Sequence, residues 1–78
     1  MDYYLGLEDG DIVLRTDTEE SWNNKLVMTG ITDFQFDNNF LIIGNSQVTK
    51  FLRFGDLTID KRVTEIIKRK NNESQEIK

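Results

Sequence analysis

Asp9-Gly10 lies between two runs that alternate apolar and polar residues, 3–7 and 12–16, and this arrangement constrains the chain more than any other feature. Both residues tolerate positive φ, which makes the pair a strong hairpin signal. A two-residue loop there sets Leu7 opposite Ile12, Leu5 opposite Leu14 and Tyr3 opposite Thr16 on one face. Gly6 with Val13, and Tyr4 with Arg15, fall on the other. Register and hydrophobic face agree, whereas a slip of one residue would turn every leucine to solvent.

A second turn repeats the test. Closing a two-residue loop at Asn38-Asn39, residues that enter the left-handed region comparatively easily, pairs Phe36 with Leu41 and Phe34 with Ile43. Between the hairpins, 16–24 is polar around a single Trp22 and reads as a connecting loop. The following stretch, 25–37, alternates again, with Gly30 as a bulge or bend that divides one long strand into two. Residues 44–47 form the next turn. The strand after it, 48–54, has mixed parity, because Phe51 opposes Val48, Leu52 and Phe54. Its register stays open; a strand apolar on both faces suits a central position, or one covered by a helix. Composition supports so much sheet, with 27 Val, Ile, Thr, Phe, Tyr and Trp residues and no Ala or Pro.

The period changes over 58–70. Ile59, Val63, Ile66 and Ile67 fall at i, i+4, i+7 and i+8, with Thr58 as N-cap and Asp60 in the first turn. Lys61 with Glu65, and Glu65 with Arg69, are spaced to pair, while Lys68, Arg69 and Lys70 suit the negative end of the helix dipole. Asn71-Asn72 is expected to end the helix, leaving a single domain over 1–70 and a polar, frayed tail over 71–78. The expected fold is α+β, mainly β: an antiparallel meander of about five strands with one C-terminal helix packed on it. A small β-barrel is the alternative. Leu5, Leu7, Ile12, Leu14, Leu26, Met28, Phe34, Phe36, Leu41 and Ile43 form one side of the expected core, met by the helix stripe. Phe51 is also assigned to the core.

With 78 residues, the chain makes one domain with one thin core. It contains neither Cys nor His, which removes thiol nucleophiles, disulfides, imidazole bases and the usual zinc sites. So small a domain, unstapled, is marginal, and oligomerisation is an expectation. The longest strictly apolar run is 40–43, so no leader or membrane span is expected, and the cytoplasm is the expected compartment. Net charge is −4, divided unevenly: residues 1–49 carry −7 and residues 50–78 carry +3.

No reaction is legible. Glu8-Asp9-Gly10-Asp11 continues into Ile12-Val13-Leu14 rather than into a calcium loop, the glycines are scattered, and the serines lack a histidine to activate them. Neither Asp9 with Asp11 nor Glu19 with Glu20 has a spacing diagnostic of general acid and base work. No catalytic, cofactor-binding or metal-ligating residue is assigned, and the chain is read as a non-enzyme. Lys68, Arg69 and Lys70 are the candidate nucleic-acid contacts, opposed by the acidity of the whole. Protein binding has more behind it. Trp22 stands in a polar loop where no core pattern requires it, as a lid over the core edge or as an interface anchor. Tyr4 and Arg15 face one another on the outer side of the first hairpin. Asp17, Glu19 and Glu20 could complement a basic partner surface.

Residues 3–12, YYLGLEDGDI, followed by residues 31–43, ITDFQFDNNFLII, resemble the strand pattern of small β-rich bacterial lipoproteins and immunity-type proteins. The resemblance covers about half of the chain and carries turns and strands rather than sites. No lipid-attachment cysteine is present and no functional residue transfers. It implies an interaction role, such as that of an immunity or phage-borne inhibitory factor. Self-assembly through sheet edges is the second reading and an accessory nucleic-acid binder the third.

Overall fold

A computed structural model describes residues 2–16 and 24–76, with side chains through Lys70. Among these, the order is β1 (Tyr3–Glu8), β2 (Asp11–Thr16), β3 (Leu26–Met28), β4 (Asp33–Phe36), β5 (Phe40–Gly44), β6 (Thr49–Arg53), a 3-10 turn (Phe54–Asp56), β7 (Leu57–Ile59) and α1 (Lys61–Glu76). Among the described residues the fold is mainly β with one C-terminal helix, and no barrel closes. The strands divide into a four-stranded sheet, β3-β2-β1-β7, and a three-stranded sheet, β4-β5-β6.

Both hairpins hold the expected register, with Leu5 opposite Leu14, Leu7 opposite Ile12, Phe34 opposite Ile43 and Phe36 opposite Leu41. Their loops differ. Asp9 and Gly10 take φ of 51° and 84°, the left-handed pair that a tight hairpin requires. Asn38 and Asn39 keep negative φ, contrary to expectation, and the Asp37 carboxylate accepts the Asn38 N–H at 2.8 Å. Gly30, at φ 62°, turns the chain out of the first sheet between β3 and β4 and into the second. The bend therefore divides two sheets rather than two halves of one strand.

Asn45 fastens that corner. Its side-chain oxygen accepts from the Gln47 and Val48 N–H groups, and its amide nitrogen donates to the Thr29 carbonyl at 2.7 Å. β7 pairs in parallel with β1, Tyr3 beside Leu57 and Leu5 beside Ile59. This pairing takes up Thr58, so the helix starts later than its apolar spacing suggests. Asp60 is the N-cap: its side chain accepts the Arg62 N–H at 2.8 Å and its carbonyl accepts the Thr64 N–H at 3.1 Å. The helix continues through Asn71 and Asn72 to Glu76, so Lys68, Arg69 and Lys70 lie mid-helix and not at the negative end of its dipole. Neither Lys61 with Glu65 nor Glu65 with Arg69 closes. The ion pairs among the described residues are Glu8–Arg15 and Asp60–Arg62.

The core lies where the two sheets and the helix meet: Leu5, Ile12, Leu14 and Met28 from the first sheet, Leu41, Ile43 and Leu52 from the second, Val63 and Ile67 from the helix, and Ile31 from the corner. Leu7, Phe34, Ile59 and Ile66 pack against it. Three expected members are not in it. A bulge opposite Leu14 and Arg15 pairs Met28 with Leu14 but Leu26 with Arg15, so Leu26 goes to the outer face and is 51% exposed. Phe36 keeps its inward parity at the end of β4, yet half of it is exposed and it stacks on Phe54 at 6.1 Å. Phe51 is 63% exposed, because β6 is an edge strand with Phe51 on the side away from the core.

Candidate functional site

The outer face of the three-stranded sheet is built from the residues that alternate with the core set. Cross-strand partners in an antiparallel pair share a face, so the register fixes three rows. Asp33, Gly44 and Thr49 form the first, and Gln35, Ile42 and Phe51 the second. In the third, Phe40 pairs with Arg53, and the Asp37 N–H donates to the Phe40 carbonyl at 2.9 Å to close the hairpin. The middle column thus runs Gly44, Ile42, Phe40. Acids occupy the β4 side, and the base Arg53 the β6 side.

Phe51 meets Phe40 edge-on, with centroids 6.5 Å apart, beside a half-buried Ile42. This aromatic centre continues into a cleft of about 470 Å³ lined by Asn39, Phe40, Arg53, Phe54, Gly55 and Asp56. The cleft wraps round the end of the sheet toward the Phe36–Phe54 stack. A smaller hollow, about 250 Å³, lies at the other end, where Gly44 leaves no side chain between Asp33 and Thr49. Exposed rings on a pleated face, rimmed by charge, offer apolar area for burial and polar groups to set orientation.

The first hairpin uses its outer face differently. Tyr4 and Arg15 are directly opposite, as the register requires. The Tyr4 ring lies back across Gly6, where a Cβ would stand 2.6 Å from Cε2, and its hydroxyl donates to the Asp60 carboxylate at 3.1 Å. Arg15 grips Glu8 through two bonds of 2.6 and 2.9 Å. That hydrogen bonding from Arg15 lowers the Glu8 pKa. The Asp60 carboxyl is held far below the usual carboxylate range, first by the Arg62 side chain, then by the Arg62 N–H, with Tyr4 adding to both. Tyr4 thus ties β1 to the start of the helix. Trp22, Asp17, Glu19 and Glu20 lie outside the described residues.

Lys68 and Arg69 are exposed on the helix. Lys70 is engaged, donating to the Thr32 carbonyl at 3.3 Å with its ammonium 5.9 Å from the Phe34 ring centroid. Sequence reasoning missed the aromatic face of β5 and β6 as a site. Its trace was the out-of-phase Phe51, a large apolar residue whose parity conflicted with Leu52. Among the described residues, no helix is long and apolar enough to cross a membrane. No family model, no curated protein and no solved structure matches this chain.

Proposed function

We propose that this chain is a non-catalytic protein-binding module that docks through the outer face of its three-stranded sheet. One observation carries the reading: Phe51, 63% exposed, stands edge-on to Phe40 on a regular sheet face with acids on one flank and Arg53 on the other. A rigid ring held on a strand loses little freedom when covered, which is why such residues anchor interfaces. The role that suits a small acidic module of this kind is to occupy another protein's functional surface, as an immunity or inhibitory factor does, and the cytoplasm is its proposed setting. Trp22, with Tyr4 and Arg15 on the first hairpin, is a second candidate anchor within the same reading.

Charge supports this reading over the others. The net −4 opposes nucleic acid, and of the helix cations Lys70 is already engaged. Edge-to-edge assembly meets like charges when identical edges approach, since Lys50 and Arg53 are on β6 and Asp33 is on β4. The test is capture from lysate with immobilised wild type, Phe51→Ser and Trp22→Ala. A discrete partner held by wild type and lost with Phe51→Ser supports the face. Loss only with Trp22→Ala moves the site to the segment around Trp22, and retention of no partner by any form discards the module reading.

A further inference from the structure

The docking face is complementary to itself. Its acids lie in the β4 column, Asp33 and Asp37, and its base, Arg53, in the β6 column, with Phe40 and Ile42 between. Two identical faces with their strands aligned can meet about an in-plane two-fold axis that runs either along the strands or across them. An axis across the strands sets β4 over β4, so that Asp33 of one copy meets Asp37 of the other, twice. An axis along the strands sets β4 over β6. Asp37 then meets the partner's Arg53, and Arg53 the partner's Asp37, while Ile42 packs on the partner's Ile42 and Gln35 lies against the partner's Phe51. An isologous interface requires this reciprocity, whereas a uniformly basic partner would set a cation against Arg53.

We infer that a second copy of this chain covers the outer face of the three-stranded sheet, about a two-fold axis parallel to the strands, with reciprocal Asp37–Arg53 pairs flanking the Phe40, Ile42 and Phe51 centre. The inference rests on the docking-face reading and names what covers that face in the free chain, a second copy that a different partner protein must displace. Packing is of the aligned kind, face to face at about 10 Å. Three strands about 4.8 Å apart and five residues long give a footprint of roughly 14 by 17 Å. Even with corrugation and the adjoining cleft, this is below the roughly 800 Å² per partner of a standard interface, which places the dimer in the weak, reversible class.

Sedimentation from about 5 µM to about 1 mM, in low and high salt, tests it. The wild type is expected to pass from monomer to dimer within that range. Phe51→Lys and Arg53→Glu are each expected to weaken association about tenfold or more, and salt to weaken it further. The exchange of Asp37→Arg with Arg53→Asp in one chain is expected to restore association to within about threefold of wild type. Circular dichroism checks that each variant folds; Arg53→Glu, outside the Asn38-Asn39 turn, carries the test if Asp37→Arg disturbs it. A dimer indifferent to Phe51→Lys and Arg53→Glu overturns the inference. A chain that stays monomeric while Phe51 governs capture of a different protein overturns the second copy and leaves the docking face standing. A monomer with no capture dependent on Phe51 overturns both.

Discussion

Neighbouring residues on β6 have opposite fates, and replacing them separately measures whether the faces are assigned correctly. Leu52 is 2% exposed and sits opposite the fully buried Leu41. Leu52→Ala removes three carbons from the core, about 2.4 kcal/mol of transfer free energy at ~0.8 per carbon, and the unfilled cavity raises the loss to about 3–4 kcal/mol. Phe51→Thr keeps strand propensity and removes a ring already 63% in water, so the loss is confined to the edge-on contact with Phe40, about 0.5–1 kcal/mol. A chain of this length has a total stability of about 4–12 kcal/mol, so the first change removes a large share of it. Urea unfolding followed by far-ultraviolet circular dichroism, at low micromolar concentration where the chain is monomeric, reads both. With a slope of about 1 kcal/mol per molar urea, the midpoint should fall by about 3 M for Leu52→Ala and by no more than about 1 M for Phe51→Thr. Equal shifts would refute the face assignment, and with it the docking surface.

Three further outcomes are expected. Because folding lowers the Asp60 pKa from its ordinary 3.8, the carboxylate stabilises the fold fully above that value and loses its effect as pH falls toward the folded-state pKa. The melting temperature of wild type should therefore exceed that of Asp60→Asn most above about pH 5 and converge with it toward pH 2; a difference independent of pH contradicts the assignment. Gly30→Ala forces a side chain onto φ 62° and should cost about 1–2 kcal/mol in thermal unfolding, whereas Gly55→Ala, with open space at its Cβ, should be neutral or slightly stabilising. Asn45→Asp keeps the acceptor for the Gln47 and Val48 N–H groups but loses the donor to Thr29, and should cost about 1 kcal/mol, less than Asn45→Ala; no loss of stability in Asn45→Asp would show that the corner bond contributes nothing.

Local pairing was legible in the sequence because it is set by short-range rules. A tight loop of known length and a period of two leave Leu5 no partner but Leu14, and Phe34 none but Ile43. What the letters did not carry depends on non-local contacts. Thr58 and Ile59 read as the start of a helix until β1 supplies a strand beside them. Leu26 alternates correctly with Met28, and only the bulge opposite Arg15 turns it outward. Phe36 has the parity of a core residue, but parity does not reveal that it stacks on Phe54 at the end of the sheet. The candidate site was hidden for the same reason, since Phe51 reads as core until β6 is known to be an edge strand.

The parallel pairing of Leu57–Ile59 with Tyr3–Leu5 also sets an order of events on the ribosome. The segment from β4 to β6 is contiguous in sequence and can zip up while the chain is still being made, but the flank of β1 stays bare until residues 57–59 have followed it. At about 5–20 residues per second, the stretch between Glu8 and Leu57 takes about 2–10 s to make, during which β1 offers an open backbone to whatever stands nearby. A stop codon before residue 57 would make that interval permanent, so truncated products should be sticky and short-lived even though both hairpins are intact.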